Sequence, residues 1–298
     1  MASQALILIS NPQVCPLTED DVTSTSKYLP DAQQVEWLSK EEALLIRFEA
    51  SAIDLPVIEQ HIRQKYEQYP IDIAVRPYDT LKKKLLIADM DSTIIQQECI
   101  DEIADFAGLR EKVSVITERA MNGELNFDSA LKERVALLKG LDENTLQQVI
   151  EKNLELTPGA KTLVQTMSKN GAYTALVSGG FTFFTSRIAD MVGFHINRAN
   201  ILEIENGALT GNVIEPILGR EAKLASLNEF AKENNLQSDE TLAVGDGAND
   251  LAMIEAAGLG VAFHAKQVVA EKADAQVNYG DLTALLFMQG YKREEFVE

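Results

Sequence analysis

The stretch LLIADMDST at residues 85–93 joins a short apolar run to two carboxylates. A run of this length with charge in front of it, here the lysines at residues 82–84, is typical of a buried strand in a parallel sheet. Two other stretches have the same layout, YTALVSGG at residues 173–180 and TLAVGDGAND at residues 241–250. Ligands of open parallel sheets bind outside the carboxyl ends of the strands. We therefore expect the three strand ends to form one polar site.

The chain after this first strand is an alternation of strands and helices with one interruption. From residue 96 to about residue 154 the patterns are mostly helical, as in ECIDEIADFAG, EKVSVITERAMNG and FDSALKERVALLKG. Each of these ends at a glycine, which is common just after a helix. The predicted fold class is α/β, a Rossmann-like parallel sheet over residues 79–298 with a helical insertion at about residues 96–156.

Residues 1–78 have a different character. Their short elements follow the order β-α-β-β-α-β, which predicts a small α+β domain of ferredoxin-like type. Apolar residues at three- and four-residue spacing, as at Leu55, Ile58 and Ile62, indicate its second helix. The predicted strands are residues 5–10, 34–38, 43–48 and 71–75, and the predicted helices are residues 19–28 and 54–69.

Net charge limits the partners of this chain. Its 298 residues include 46 acidic and 27 basic side chains, a formal net charge of −19. Nucleic acids and anionic membranes require a basic surface, so neither is expected as a partner. An anionic substrate would also be repelled unless a cation were bound nearby, which favours a metal ion at the predicted site.

The sequence gives no sign of export or membrane insertion. No stretch approaches the roughly 20 apolar residues that span a bilayer, and the N-terminus lacks the features of a secretory signal. Cys15 and Cys99 lie far apart and outside any metal-binding spacing. One disulfide between them is arithmetically possible, but two reduced thiols in a cytoplasmic protein fit this cysteine usage better.

Asp89 and Asp91 lie one residue apart just past the first strand, where two carboxylates suit phosphoryl transfer. One carboxylate can attack phosphorus and form an aspartyl-phosphate, which divides a slow hydrolysis into two steps. The other can protonate the departing alkoxide and later deprotonate water. The same Asp-X-Asp pattern also occurs where carboxylates only bind a metal, and in surface loops, so these alternatives stay open.

The other strand ends offer the remaining parts of a phosphate site. Asp246 and Asp250, together with Asp89, supply the oxygen ligands that Mg²⁺ prefers, although a Gly-Asp-Gly turn also forms for backbone reasons alone. Ser178 begins a Ser-Gly-Gly turn that could hold an anion or be an ordinary strand–helix turn. Lys223 could neutralise phosphate or be a solvated lysine on a helix.

Together, DMDST at residues 89–93, SGG at 178–180, the lysine at 223 and GDGAND at 245–250 resemble the motif set of the haloacid dehalogenase-like phosphatases. Within that superfamily, DSTIIQQECIDE at residues 91–102 resembles the phosphoserine phosphatases. The resemblance covers about residues 84–278 and rests on four ordered motifs. It implies hydrolysis of O-phosphoserine, the last step of serine biosynthesis, with Mg²⁺ as cofactor, and it identifies the helical insertion as a cap.

The resemblance also implies a role for each site residue. Asp89 is expected to be the nucleophile and Asp91 the general acid and base. Mg²⁺ is expected to be held by the Asp89 side chain, the Asp91 carbonyl and Asp246, with Asp250 in support. The phosphoryl group is expected to be bound by Ser178, Gly179 and Lys223, with Asn249 in support. Glu98 is expected to bind the substrate ammonium and Arg134 its carboxylate, while Met121 and Phe127 line the pocket. Without the family, Arg134 would be interpreted as a surface residue, and Met121 and Phe127 as part of the core of the insertion.

The first 78 residues lie outside these motifs. Their order of elements resembles the ACT-type modules of some amino-acid enzymes, which bind small ligands or pair subunits, so a homodimer through this domain is a further expectation. Two alternatives stay open for the whole chain. One is a phosphatase or phosphotransferase for another small phosphomonoester, and the other is a non-catalytic amino-acid sensor, against which the intact set of catalytic residues argues.

Overall fold

The computed structural model of the chain describes residues 2–122 and 124–298, except for the side chain of Met121. In chain order its strands are β1 (Ala2–Ser10), β2 (Gln34–Ser39), β3 (Ala43–Ala50), β4 (Ile71–Pro77), β5 (Leu85–Ala88), β6 (Tyr173–Phe181), β7 (Ile196–Glu205), β8 (Ala208–Ile214), β9 (Thr241–Gly245), β10 (Leu259–Phe263) and β11 (Ala275–Val277). Its helices are α1 (Glu19–Ser26), α2 (Leu55–Tyr66), α3 (Cys99–Phe106), α4 (Arg110–Met121), α5 (Phe127–Leu137), α6 (Asn144–Lys152), α7 (Ala160–Lys169), α8 (Thr182–Val192), α9 (Arg220–Glu233), α10 (Leu251–Ala256), α11 (Gln267–Ala270) and α12 (Ala284–Phe287).

Residues 2–77, the N-terminal module, form an antiparallel sheet in the order β2-β3-β1-β4. Its elements follow the predicted order β-α-β-β-α-β. Because side chains alternate along a strand, Leu44 and Ile46 of β3 pack with α2, while Leu45 joins the hydrophobic core of the remaining chain. Both faces of this sheet are therefore covered. The ACT-type label for the module stays a prediction.

The second sheet has the order β11-β10-β9-β5-β6-β7-β8, and β5 lies at its centre. β5 runs parallel to both of its neighbours, β6 and β9, and β8 at one edge runs antiparallel to β7. Leu86 belongs to the core on one face of this sheet and Ile87 to the core on the other. Burial on both faces explains the continuous apolar run of β5. The predicted α/β fold with a Rossmann-like sheet is confirmed.

Helices α3 to α6 form a helical insertion between β5 and α7; we call this segment, residues 96–156, the cap. Ile95 and Leu156 form an antiparallel bridge, and the N–H of Gln96 donates to the carbonyl of Glu155 at 3.0 Å. The chain therefore leaves the core and returns to it at one point. The sequence patterns predicted three helices in this segment, and the structure adds α6.

The hairpin β7–β8 is a correction to the sequence-based assignment, which left residues 193–219 without a strand. Its turn consists of Asn206 and Gly207, with φ of 52° and 79°, the left-handed conformation that these two residue types favour in tight hairpins. Main-chain hydrogen bonds join this hairpin to the cap. The N–H of Gly140 donates to Leu209 O at 2.8 Å, and the N–H of Glu143 donates to Gly207 O at 2.9 Å. The cap is thus attached to the core at a second place.

Two other sequence-based expectations concern the thiols and the membrane. Cys15 and Cys99 are free thiols and form no disulfide with one another. Within residues 2–122 and 124–298, no helix combines the length and the apolar character that a bilayer span needs.

Candidate active site

Three neighbouring strands of the seven-stranded sheet carry polar residues at their carboxyl ends. Asp89 follows β5, Ser178 lies near the end of β6, and Asp246 follows β9. Since β6 and β9 flank β5, segments that are far apart in the sequence meet at one edge. A pocket between this edge and the cap is lined by Asp89, Asp91, Glu98, Phe127, Arg134, Ser178, Gly179 and Asn249, with apolar side chains between them.

Lys223 lies at the centre of the polar cluster. Its side chain from α9 is fully buried, with 0% exposure, so the alternative of a solvated lysine is wrong. Its Nζ lies 2.7 Å from Asp89 Oδ1 and 2.6 Å from Asp250 Oδ1. Burial alone lowers the pKa of Lys223, but these two carboxylates outweigh it and the net shift is upward. Lys223 is therefore held in its cationic form beside Asp89.

The carboxylate of Asp89 is anchored through one of its oxygens. Oδ1 accepts from the N–H of Met90 at 2.8 Å and pairs with Lys223, while Oδ2 has no hydrogen bond to the residues that the structure describes. The residue is 4% exposed and lines the pocket. An oriented carboxylate with one free oxygen suits nucleophilic attack or metal binding.

Three buried carboxylates could hold a cation. Asp89, Asp246 and Asp250 each bring an oxygen within 4.8 Å of the others. Asp250 is the least free of the three, because Oδ1 pairs with Lys223 and Oδ2 accepts from the N–H groups of Asp246 (3.2 Å) and Gly247 (3.1 Å). Burial and the charges of neighbouring carboxylates raise the pKa of Asp246 well above its usual value. All-oxygen donors with excess negative charge fit a hard divalent cation.

Asp91 connects the core to the cap. Its Oδ1 accepts from the N–H of Cys99, the first residue of α3, at 2.9 Å, and its Oδ2 accepts from the Ser178 hydroxyl at 3.3 Å. Burial and the charge of Asp89 raise the pKa of Asp91 to about 6. A carboxyl group with such a pKa can give and take a proton near neutral pH.

The turn at the end of β6 brings its backbone close to the pocket. The Ser178 hydroxyl accepts from the N–H of Gly180 at 2.8 Å, which orders the turn. A Cβ on Gly180 would lie 2.6 Å from Asp91 Oδ2, and a Cβ on Gly179 would lie 2.6 Å from the ring of Phe127. Side chains at these two positions would therefore clash with the pocket residues, which accounts for the glycines.

Glu98 and Arg134 face the pocket from the cap. Glu98 Oε1 accepts from the Ser92 hydroxyl at 2.6 Å, and burial together with the charge of Asp91 raises the pKa of Glu98 well above its usual value. Arg134 is 6% exposed, so its interpretation as a surface residue is wrong. Burial lowers the pKa of Arg134, against the nearby charges of Glu98 and Asp101. The cap thus places one acid and one guanidinium at the pocket.

Two of the remaining predicted residues, Phe127 and Asn249, line the pocket. Phe127, at the start of α5, lies over the backbone of Gly179 and Gly219. Asn249 lines the pocket from the loop after β9. The side chain of Met121 lies outside the described part of the chain.

Sequence reasoning missed several polar residues around the site. Ser92 holds Glu98, and its φ of 54° is unusual for a residue with a side chain. Asn200 of β7 is 2% exposed; its Nδ2 donates to Gly179 O at 2.8 Å and its Oδ1 accepts from Leu218 N at 2.6 Å. Thr117 of α4 contacts Arg134. Ser92 lies within the DMDST motif, but the motif does not predict its left-handed backbone or its bond to Glu98. Asn200 lies in the hairpin that was not assigned.

Comparison with known proteins agrees with this geometry. Residues 86–255 match the haloacid dehalogenase-like hydrolases. A phosphoserine phosphatase of Archaeoglobus fulgidus is 42% identical over 78% of this chain and 68% of its own length. Four curated phosphoserine phosphatases, this one among them, are 40–50% identical to the chain, which spans 55–68% of their lengths.

Solved structures show the same architecture. A hydrolase of this superfamily from Salmonella enterica serovar Typhi superposes with a TM-score of 0.84 at 31% identity, covering 97% of this chain and 98% of its own. A phosphoserine phosphatase solved as a phospho-aspartyl intermediate analogue gives a TM-score of 0.66 at 41% identity, covering 69% of this chain and 98% of its own. The chain belongs to the haloacid dehalogenase-like hydrolase family and, within it, to the phosphoserine phosphatases.

Proposed function

We propose that the chain hydrolyses O-phospho-L-serine to serine and inorganic phosphate, with the phosphoryl group carried transiently on Asp89. The observation that supports this most is the pocket itself, in which Asp89, held by Lys223, lies at the core side while Glu98 and Arg134 face it from the cap. That arrangement complements a phosphate at one end of the ligand and an amino acid at the other. The names of the relatives point to the same substrate, and the product places the reaction last in serine biosynthesis.

In the first step, Asp89 attacks the phosphorus through Oδ2 and the bond from phosphorus to the serine oxygen breaks. Lys223 holds Oδ1 of Asp89 and keeps the carboxylate aimed at the pocket. Asp91, whose pKa is raised to about 6, gives its proton to the serine oxygen. That proton matters because an alkoxide is a poor leaving group.

In the second step, water attacks the aspartyl-phosphate and the acyl–phosphate linkage breaks, which releases phosphate and regenerates the Asp89 carboxylate. Asp91, now ionised, takes a proton from the water. Its hydrogen bonds to Cys99 and Ser178 hold it in place for both steps. One residue thus alternates between acid and base.

Substrate recognition is divided between the two sides of the pocket. Ser178, Gly179 and Lys223 bind the phosphoryl group, with Asn249 in support. Glu98 binds the ammonium group, and a cation there would favour the ionised form of this acid. Arg134 binds the carboxylate through its planar guanidinium, and Phe127 and Met121 line the space between.

The residues present fit Mg²⁺ as the cofactor. Asp89 and Asp246 would supply carboxylate oxygens, and the main-chain carbonyl of Asp91 would be the third protein ligand. Asp250 supports them by fixing Lys223 and the N–H of Asp246. When bound, the ion offsets the negative charge of the phosphoryl oxygens, which this acidic site would otherwise repel.

The broader setting follows from composition and architecture. A net charge of −19 disfavours nucleic acid and anionic membrane as partners, and two free thiols suit the cytoplasm. Residues 1–78 and 79–298 act as two domains, with the cap at about residues 96–156. A homodimer through the first domain would use its edge strand β2, because the other edge strand, β4, lies against β11.

Phosphate release from L-phosphoserine, measured beside a panel of other phosphate esters, tests this proposal. We expect Mg²⁺-dependent release, abolished by chelation, with kcat/KM highest for phosphoserine and one serine formed per phosphate. Asp89→Asn should reduce turnover by more than about 10³-fold with an unchanged circular dichroism spectrum, because Lys223 keeps its partner Asp250. Added homoserine should not divert phosphate from water.

Three results would contradict the proposal. These are a preference for another ester, transfer of phosphate to homoserine in place of release, and full activity in Asp89→Asn freed of wild-type enzyme. The first removes the substrate, the second removes the reaction type, and the third removes the nucleophile.

A further inference from the structure

Arg134 is held by a chain of hydrogen bonds that runs across three cap helices. Its Nη1 donates to the Thr117 hydroxyl of α4 at 3.0 Å. That hydroxyl donates in turn to Asp101 Oδ1 of α3 at 2.8 Å. Within α5 itself, Nε of Arg134 donates to the Ala130 carbonyl at 3.2 Å. Thr117 is 2% exposed, so water cannot easily replace its hydroxyl in this chain.

The direction of the Thr117 hydroxyl follows from charge. Its single hydrogen can reach Asp101 Oδ1 or the carbonyl of Val113, at 2.8 and 3.1 Å. The carboxylate is the stronger acceptor and lies closer, so the hydrogen points to Asp101. A lone pair of the oxygen is then free to accept from Arg134.

The hydroxyl also keeps the acid and the guanidinium apart. Among the described residues, Asp101 and Arg134 form no direct ion pair, since Thr117 lies between them. A direct bidentate pair would occupy the edge of the guanidinium that binds a planar carboxylate. The interposed hydroxyl fixes one side of the group and leaves Nη2 for a ligand.

We infer that Thr117, supported by Asp101, is the positioning residue that orients the Arg134 guanidinium and so determines selectivity for a substrate with a carboxylate. The inference rests on the proposed function, because it assumes that Arg134 binds the carboxylate of phosphoserine. A long arginine side chain loses much rotamer freedom on binding. Two contacts made before the substrate arrives reduce that loss and raise the affinity.

The test compares L-phosphoserine with phosphoethanolamine, which has the same phosphate and ammonium groups but no carboxylate. A hydrogen bond to a charged group contributes about 1.5–3 kcal/mol. Thr117→Val, which keeps the shape and removes the hydroxyl, should therefore lower the ratio of kcat/KM for phosphoserine to that for phosphoethanolamine by roughly tenfold or more. The loss should lie mainly in KM for phosphoserine.

Three further variants complete the design. Thr117→Ser keeps the hydroxyl and should restore the ratio. Thr145→Val replaces another buried cap threonine, on α6, and should leave the ratio as in the wild type. Asp101→Asn keeps an acceptor oxygen but removes the charge, and it should lower the ratio by less than Thr117→Val. If Thr117→Val fails to fold, Asp101→Asn provides the test.

The outcomes separate the two proposals. A wild-type enzyme that does not prefer phosphoserine refutes the proposed substrate. If the wild type prefers phosphoserine and Thr117→Val keeps that preference, the role of Thr117 is overturned while the proposed substrate stands. Where Thr117→Val does not fold, an unchanged preference in Asp101→Asn leads to the same conclusion. Equal losses on both substrates also overturn it, because a merely structural defect would affect both.

Discussion

The carboxylate of Asp91 receives one hydrogen bond from the cap and one from the core. If Asp91 is the acid, its importance depends on the leaving group. Asp91→Asn should lower kcat on phosphoserine by roughly 10²–10⁴-fold. With p-nitrophenyl phosphate, whose phenolate departs without a proton, the first step should survive and the aspartyl-phosphate should accumulate. Stopped-flow absorbance should show a burst near one nitrophenolate per active site, followed by slow turnover.

The pH profile of the wild type gives the same prediction a second readout. The pKa of Asp91 is raised to about 6, so less of its carboxyl group is protonated as the pH rises above that value. Because the first step needs this proton, kcat/KM for phosphoserine should fall. The fall should be weaker for p-nitrophenyl phosphate. Asp190→Asn, an exposed position on α8, is the control and should match the wild type. Equal alkaline losses on both esters, or no burst in Asp91→Asn, would remove Asp91 as the acid.

At the scale of single residues, the sequence predicted which polar residues lie at the strand ends better than it predicted which side chains contact one another. Asp89 and Asp246 could be found because each directly follows an apolar strand. Lys223 could not be told from a solvated lysine, since its burial depends on how α9 packs on the sheet. Thr117 and Ser92 act through hydrogen bonds to Arg134 and Glu98, and such pairings over several residues leave no spacing pattern.

Among the elements, an exposed ion pair joins the cap to the core. Lys266, after β10, lies 2.8 Å from both carboxylate oxygens of Glu118 on α4. Exposed ion pairs contribute about 0–1 kcal/mol to stability. This pair favours the closed position, in which the cap covers the pocket, so Glu118→Gln should reduce the population of that position. KM for phosphoserine should then rise by at most about fivefold. The difference should vanish at high salt, because salt screens exposed charges.

A charge swap and a core pair serve as controls for this cap contact. The double variant Glu118→Lys/Lys266→Glu should recover most of the wild-type KM. Glu229→Gln breaks a comparable surface pair with Arg198. That pair joins α9 to β7 and does not involve the cap, so KM should be unchanged. If Glu118→Gln has the wild-type KM at low salt, the pair does not influence closure.

The hairpin β7–β8 shows both what a sequence can predict and what it cannot. An Asn-Gly pair between apolar alternations is a strong signal for a two-residue hairpin turn, and IENGAL at residues 204–209 carries it. The hairpin was therefore predictable. Its hydrogen bonds to residues 140 and 143 of the cap were not, because main-chain pairing between distant segments has no side-chain signature.

For the whole molecule, the N-terminal module and the core share one hydrophobic cluster, to which Leu45 contributes from β3. We therefore expect the chain to unfold in a single calorimetric transition. Leu45 is 2% exposed, and Leu45→Ala should cost about 2–5 kcal/mol. This should lower the Tm of the entire transition by about 2–4 °C per kcal/mol, with kcat at 25 °C unchanged.

Val35 gives the matched control, since it lies on the same sheet and is 44% exposed. Val35→Ala should leave the Tm within about 1–2 °C of the wild type. Two separate transitions in the wild type, or a Leu45→Ala effect confined to a minor early transition, would show that the two sheets unfold independently.

The overall architecture was largely predictable from the sequence. The order β-α-β-β-α-β and the parallel sheet interrupted after its first strand both follow from apolar periodicity. The contact between module and core has a trace in the sequence as well, because ALLIRF at residues 43–48 is apolar on both alternating faces over its first four residues. What covers the second face could not be read from that pattern, since any apolar partner would satisfy it.

The main-chain hydrogen bonds between the cap and the β7–β8 hairpin should restrict how the product of the proposed reaction leaves the pocket. At the hairpin the cap donates main-chain hydrogen bonds to the carbonyls of Leu209 and Gly207, whereas α4 is joined to the core only through the side chains of Glu118 and Lys266 among the contacts described above. We therefore expect the cap to rotate about its contact with the hairpin, so that the pocket opens at the Lys266 side. A bulky label near Lys266 should slow substrate entry and product release, whereas a label on the hairpin should not.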